Sequence, residues 1–594
     1  MSRRVLAVLV ALLPMATPAR AGELFDEETL TFASQVDTRT LSLLAVVHNG
    51  RVTILDTLAR DALARAYGRE EIDGTDPAFA WLELHWNAGK YLDKPVLQVP
   101  ERAMRAWILN HLPADAAAEF RATWRLPPAA IVDEKALEEL VKSGRATVAD
   151  IERAGRVPSL LAGLGPLYAR PEYRLPLQRL DERYLAAIST ESASLVLGSA
   201  GGVFVVGPGF EYGERALVRR LRFGASSWMD MEVAWRSRDA NAVNSMVGQL
   251  AAAYPYSGPR PPWMELELYY NRLGKGAAAW VGFALAAAFL IVAAASRGRW
   301  PRLFGISFLA LSTLVALAAF AVRWVLSGRE WYLPPVMNMF EAVTGSALLV
   351  GLLAIGLELA WGRTRPGKSG QLPISAAEIG NCPGFPVQAA RRAQAARRMS
   401  AGARLYVALA ASLYAAAAYG FCYFLRGSIG GGIAPMHGIL ESPLMAAHVT
   451  VIILGHALAG MTLILSLIYL VLVALGKRGL SPFSAAENGD CPLFALDRCN
   501  LVLVQLATWT LALGTALGAL WADAAWGRWW GWDRKETWAL ITVLIYVAAL
   551  HARLALPARS RGVATACLCI LGGAAMLFNW IAVNFLLPGL HSYA

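Results

Sequence analysis

From Lys275 onward the chain is a succession of eight apolar runs: Gly276 to Ser296, Leu303 to Leu326, Met339 to Trp361, Leu405 to Leu425, Ala446 to Leu475, Leu501 to Trp521, Thr537 to Leu556 and Val563 to Leu587. Each reaches the ~20 residues that a helix needs to cross a hydrocarbon core. A backbone placed in lipid must satisfy its own hydrogen bonds, which runs of this length do by folding as helices. With 56% hydrophobic and 17% charged residues, the chain is more apolar than a water-soluble protein of its size. The net charge of +11 raises the question of nucleic acid. Much of the Lys and Arg, however, lies in short links between apolar runs, the pattern of membrane topology.

Met1 to Ala21 carries Arg3 and Arg4, an apolar run from Val5 to Met15, and Ala19-Arg20-Ala21 at its end. The run is too short to span, and its order matches a cleavable export signal. Residues 22–273 contain no run long enough to cross a membrane and mix helical patterns, such as Thr57 to Tyr67 and Asp133 to Val141, with the strand-like or core-like Ser192 to Val206. None of the six cysteines precedes Cys382, so this region has no disulfide and rests on its core alone. The expectation is a membrane all-α fold, a polytopic bundle of eight transmembrane helices (274–594) preceded by an exported α+β or mostly α domain.

With the amino-terminal domain exported, the inward links carry Arg297, Arg299 and Arg302, then Arg363 to Arg404, then Lys477 and Arg478, and then Arg559 and Arg561. The positive-inside rule agrees at each. Gly427 to Met445, Ala522 to Glu536 and Pro588 to Ala594 are thereby expected outside. Two inward loops share a repeat, Ser375-Ala-Ala-Glu-Ile-Gly-Asn-Cys382-Pro and Ser484-Ala-Ala-Glu-Asn-Gly-Asp-Cys491-Pro. It reads either as a duplicated insertion or as a metal or redox clip between the two thiols.

The segment 521–538, Trp521-Ala-Asp-Ala-Ala-Trp526-Gly-Arg528-Trp529-Trp530-Gly-Trp532-Asp533-Arg534-Lys535-Glu536-Thr537-Trp538, is the most aromatic of the chain. An interfacial belt explains one or two tryptophans, but not their crowding around Gly527 and Gly531 with charges following at once. A slab of indoles edged by charge suits a large planar ligand with acidic substituents. Heme has that form: rings stack on the porphyrin, and Arg528, Arg534 or Lys535 pair with its propionates. Iron takes axial imidazoles. Of the eight histidines, His448 and His591 are expected at the level of this loop, flanking it. His551, thirteen residues beyond Trp538, falls ~20 Å below the outer surface, where a titratable group is costly and usually functional. His456, two turns below His448, is the lesser candidate.

Trp526 to Trp538 resembles the tryptophan-rich "WWD" signature of heme-handling proteins, and Lys535-Glu-Thr-Trp538 points to the CcsA (ResC) branch of system II cytochrome c assembly. Pro334-Pro-Val-Met-Asn338-Met-Phe-Glu341, Ile433-Ala-Pro435-Met436, Ala447-His448-Val449 and Gly589-Leu-His591-Ser-Tyr593 are similar too, in the family's order. The exported part resembles, more weakly, the domain that precedes CcsA in extended members, through Asn49-Gly50-Arg51-Val52 and Asp56 to Arg60. The resemblance implies that His448 and His591 ligate heme iron externally beneath Trp526, Trp529, Trp530, Trp532 and Asp533, and that His551 belongs to an intramembrane heme site. It implies heme b as the group handled and apocytochrome c as acceptor. It further implies a place in a holocytochrome c synthase (heme lyase) complex, with thiol-reducing proteins as further partners, in the bacterial inner membrane. The sequence departs at Arg534, where the family commonly has proline. It also lacks any stretch resembling CcsB (ResB), the source of a second intramembrane histidine, so either a separate CcsB-like subunit supplies one or His456 substitutes. No Cys-x-x-Cys-His occurs, so the chain is not itself the acceptor. Two rival readings stay open: a heme exporter or chaperone without ligation activity, and a membrane electron carrier with permanent bis-imidazole heme.

Overall fold

The computed structural model describes residues 24–130 with short gaps, isolated positions between 138 and 149, and 228–252, 262–363, 385–424, 431–433, 440–475 and 492–585 with gaps of one or two residues. The expected export signal, the segment Ser192 to Val206 read as strand or core, most of Asp133 to Val141, the repeated motifs around Cys382 and Cys491, and His591 lie outside the described residues. Two compact units result, dividing between Arg272 and Leu273.

In the amino-terminal unit, α1 (Glu27–Gln35) and α2 (Thr38–Ser42) lead into an antiparallel pair, β1 (Ala45–His48) and β2 (Arg51–Ile54), in which Ala45 faces Ile54. Then come α3 (Leu55–Ala66), α4 (Pro77–Trp86) and β3 (Leu97–Gln98), which pairs with β4 (Arg125–Leu126) across α5 (Arg102–His111) and α6 (Ala114–Thr123); α7 (Ala240–Ala252) and α8 (Pro262–Arg272) close the unit. The mixed character expected of this region is present, with helices dominant. Every residue of α4 is buried, and its one carboxylate shows how. Glu83 accepts hydrogen bonds from Trp235 Nε1 (2.8 Å), Tyr91 Oη (2.8 Å) and both terminal nitrogens of Arg238 (2.7 and 2.8 Å). Burial by itself raises the Glu83 pKa, but these donors and the Arg238 charge outweigh it and hold the carboxyl below its ordinary range.

Among the described residues the second unit holds eight helices long and apolar enough to span a membrane. They are α9 (Ala279–Ser296), α10 (Arg299–Ser327), α11 (Met339–Arg363), α12 (Phe385–Phe424), α13 (Pro443–Ala474), α14 (Pro492–Trp526), α15 (Arg534–Ala555) and α16 (Ala558–Phe585). The chain is a multi-pass membrane protein, as its apolar runs require. Charged side chains gather at helix ends and are paired there, as lipid demands. At the end bearing the tryptophans, buried Glu341 accepts from Arg323 Nε (2.7 Å) and Arg329 Nη1 (2.9 Å), tying α10 to α11. At the opposite end Glu358 accepts from Arg302 (2.7 Å) and Arg404 (2.8 Å), and Arg553 pairs with Asp497.

Helices α13 and α14 make the broadest contact in the bundle, through small residues that let their backbones approach. A Cβ at Gly514 would lie 3.0 Å from the Ile452 backbone, and one at Gly455 would meet Leu511 at 2.8 Å. This close crossing positions the candidate site.

Candidate functional site

Ser442 caps α13, its hydroxyl accepting from the Met445 amide at 3.1 Å, with Pro443 in the first turn. His448 follows within the next turn and lies half-buried against α14. Its Nδ1 is 2.7 Å from the carbonyl oxygen of Gly514. A carbonyl can only accept, so Nδ1 carries the proton, and the neutral ring keeps its lone pair on Nε2. Gly518 makes the space: a Cβ there would stand 2.6 Å from His448 Cε1 and 2.8 Å from Nδ1. A backbone carbonyl and a missing side chain thus fix both tautomer and ring position. Metal-binding imidazoles are oriented in this way.

His448 lines a cavity of about 220 Å³ whose walls also include His456, Trp529, Trp530, Lys535, Asn579 and Trp580. The aromatic loop forms its rim. Helix α14 runs past Trp521 as far as Trp526, so the loop is shorter than the expected Ala522 to Glu536 and comprises 527–533. Trp526 packs edge-on against Trp521 at 5.0 Å, which extends the helix beyond its apolar stretch. Gly527, with φ +68°, ends it in a backbone conformation that side chains disfavour.

Asp533 then caps α15, and with Glu536 forms a reciprocal capping box. Glu536 Oε2 accepts from the amides of Gly531 (2.8 Å) and Asp533 (3.2 Å), so one carboxylate gathers the loop from beneath. Arg534 occupies the first helical position, the one where proline is also accommodated. The departure from the family pattern therefore leaves the turn closed by Asp533 and Glu536.

The residues singled out in the sequence are distributed as follows. His448, Trp529, Trp530 and Lys535 share the cavity. Trp526 lies behind it on Trp521, while Trp532, 71% exposed and at φ +56°, stands edge-on to Trp530 at 6.0 Å. Asp533 serves as helix cap, and the Arg528 guanidinium lies over Gly531, where a Cβ would be 2.7 Å from its Cζ. His551 is exposed on α15, its Nδ1 2.9 Å from the Val547 carbonyl of its own helix, and is not among the cavity walls. His591 falls outside the described residues.

Two cavity residues, Asn579 and Trp580, had no signal in the sequence beyond being polar or amphipathic within an apolar run. Trp580 Nε1 donates to His456 Nδ1 at 3.0 Å, the rings meeting edge to face. In the neutral His456 ring the proton is therefore on Nε2, the reverse of His448.

Residues 395–591 match the family described as Cytochrome C assembly protein. The protein NrfI of Wolinella succinogenes is 35% identical over 156 residues, covering 26% of this chain and 16% of NrfI. The cytochrome c biogenesis protein CcsA of Guillardia theta is 34% identical over 173 residues, covering 27% of this chain and 57% of CcsA. CcsA of Gloeobacter violaceus is 43% identical over 98 residues, covering 16% of this chain and 28% of its own. The chain thus spans less than two thirds of the length of these relatives. The match falls on the span that holds His448, the aromatic loop and His551, and over that span the chain is similar to the cytochrome c assembly family and to its CcsA proteins.

Proposed function

We propose that the chain acts in cytochrome c biogenesis, bringing heme to the outer face of a bacterial inner membrane and holding it there for thioether attachment to apocytochrome c. The observation that carries this reading is His448. Its Nδ1–H is engaged by Gly514, which leaves the lone pair on Nε2, and the ring borders a cavity rimmed by Trp529 and Trp530 with Lys535 in its wall. An imidazole so oriented is an axial ligand for iron, the indoles offer faces to a porphyrin, and the ammonium offers a partner for an acidic substituent. His591 is the second external ligand in this reading.

The cargo is heme b, whose vinyl groups take up the paired thiols of the acceptor. The chain's part is positional: it fixes the porphyrin so that the vinyl carbons and thiols meet, without a general base of its own. His551 is assigned to an intramembrane heme site on the path outward. Its exposure on α15 supports a ligand from a second, CcsB-like subunit packed against that helix. Attachment is then the work of the pair, a holocytochrome c synthase.

The test is the absorption spectrum of the purified chain with its companion subunit, beside His448→Ala, His551→Ala and His591→Ala. A Soret band lost or shifted in His448→Ala and His591→Ala, and restored by free imidazole, is expected. A wild-type preparation without a Soret band, or full cytochrome c assembly by the His448→Ala/His591→Ala double variant, overturns the reading.

A further inference from the structure

The inner wall of the cavity is polar where a membrane interior should be apolar. His456 is eight residues from His448 on α13, about 12 Å further along the helix. Among the described residues its ring receives one hydrogen bond, from Trp580 to Nδ1, so the neutral ring presents its remaining hydrogen-bonding group, Nε2–H, as a donor. Asn579, adjacent to Trp580 on α16, is 4% exposed, and its side-chain oxygen has no hydrogen-bond partner among the described residues. A buried amide left in that state is unfavourable by about 1–3 kcal/mol, which is a reason to expect a group that completes it. Lys535 adds a cation to the same cavity. One wall thus offers an ammonium, an imidazole N–H and an amide lacking a donor.

We infer that this wall is a carboxyl-binding subsite: Lys535, His456 and Asn579 receive the two propionate groups of the porphyrin, so that heme sits with its propionate edge inward and its vinyl-bearing half toward the aromatic loop. The inference rests on the heme reading above and adds the orientation of the ring. Methyl and vinyl substituents form no hydrogen bonds, so among heme's peripheral groups only the propionates use these partners. One cation balances one ionised propionate, which takes the Lys535 ammonium and the His456 N–H. The second propionate, kept protonated in a site of low polarity, donates its O–H to Asn579. The vinyl groups, on the opposite half of the macrocycle, are then presented where a thiol from outside can reach them. An inward vinyl edge would bury the reacting carbons against Trp580.

The test compares hemin with hemin dimethyl ester, titrated by absorbance into the purified full-length chain, wild type and Asn579→Leu, His456→Leu and His456→Gln. Wild type binds hemin more tightly than the ester. Asn579→Leu weakens hemin binding by roughly three- to tenfold, the worth of one hydrogen bond, and leaves the ester, which has no O–H to donate, unaffected; His456→Leu weakens hemin binding to a similar extent and that of the ester less, since an ester carbonyl is a poorer acceptor than a carboxylate. His456→Gln, which keeps an N–H donor, stays near wild type for both. Equal weakening of both ligands in the leucine variants, no weakening of either, or a wild type indifferent to esterification overturns the inference while leaving heme binding intact. No Soret band with either ligand in wild type overturns the heme reading itself, and the subsite with it.

Discussion

Gly518→Ala is the smallest change that tests how His448 is held. The added methyl group would stand 2.6 Å from His448 Cε1 and 2.8 Å from Nδ1, and the three atoms nearest to it all belong to that ring. To move Cε1 from 2.6 Å to the 3.4 Å at which ordinary contact begins, the ring must retreat by about 0.8 Å. That stretches its 2.7 Å bond to the Gly514 carbonyl to the margin of hydrogen bonding and turns Nε2 away from its present line. Loss of an orienting partner of a ligating imidazole costs roughly 10- to 100-fold in affinity, or about 1.4–2.8 kcal/mol. Alanine favours helix over glycine, so the fold of α14 is not weakened by the change itself. The assay is hemin titration by Soret absorbance, with thermal unfolding as the control for stability. Weaker hemin binding at unchanged thermal midpoint is expected, and in a His448→Ala background the glycine substitution should have no further effect. Wild-type affinity in Gly518→Ala, or a full additional loss in the double variant, would show that ligand binding does not pass through this ring.

Three other outcomes follow from packing and charge. Asp533→Ala removes the helix cap and half of the capping box and should lower stability by about 0.5–2 kcal/mol, with faster hydrogen exchange confined to the loop and the first turn of α15; exchange unchanged there would remove the role given to the box. Glu341→Ala withdraws the carboxylate shared by Arg323 and Arg329 and should destabilise the bundle by about 3–5 kcal/mol, read as a lower midpoint in detergent; a shift within error would mean the pair contributes no net stability. For pH, the Glu83 pKa lies below its ordinary value of 4.5 in the folded chain, so its contribution is fully present above that value and is lost as pH falls below it toward the folded pKa. Hydrogen exchange in α4 should accelerate in that acid window and much less so in Glu83→Gln, whereas identical acid profiles would contradict the assignment.

The eight spans were legible because lipid imposes a single requirement, an uninterrupted apolar run, and their ends differ from the apolar runs where helices continue past them. Helix α14 is the clearest instance: hydropathy stops at Trp521, but the turn through Asp523 persists because Trp526 finds Trp521 one and a half turns back. Composition likewise drew attention to the indoles and to His448. It could not show which indoles turn inward, since Trp529 and Trp530 border the cavity while Trp532, two residues on, points away under a left-handed backbone. Nor is the inner wall readable from spacing. His456 and Trp580 are 124 positions apart, and their pairing depends on the rotation of α13 and α16 about their axes, which an all-round apolar pattern leaves undetermined.

The carboxylate of Glu536 has a practical consequence. Because the backbone of the rim is tethered by an anchor that belongs to α15, the indoles are passengers on a frame that they do not build. Phenylalanine replacements at Trp529 and Trp530 should therefore report contact with whatever lies beneath them, undistorted by collapse of the rim. Glutamine at 536, which weakens the tether and spares every ring, should let the rim drift while its aromatic content stays the same.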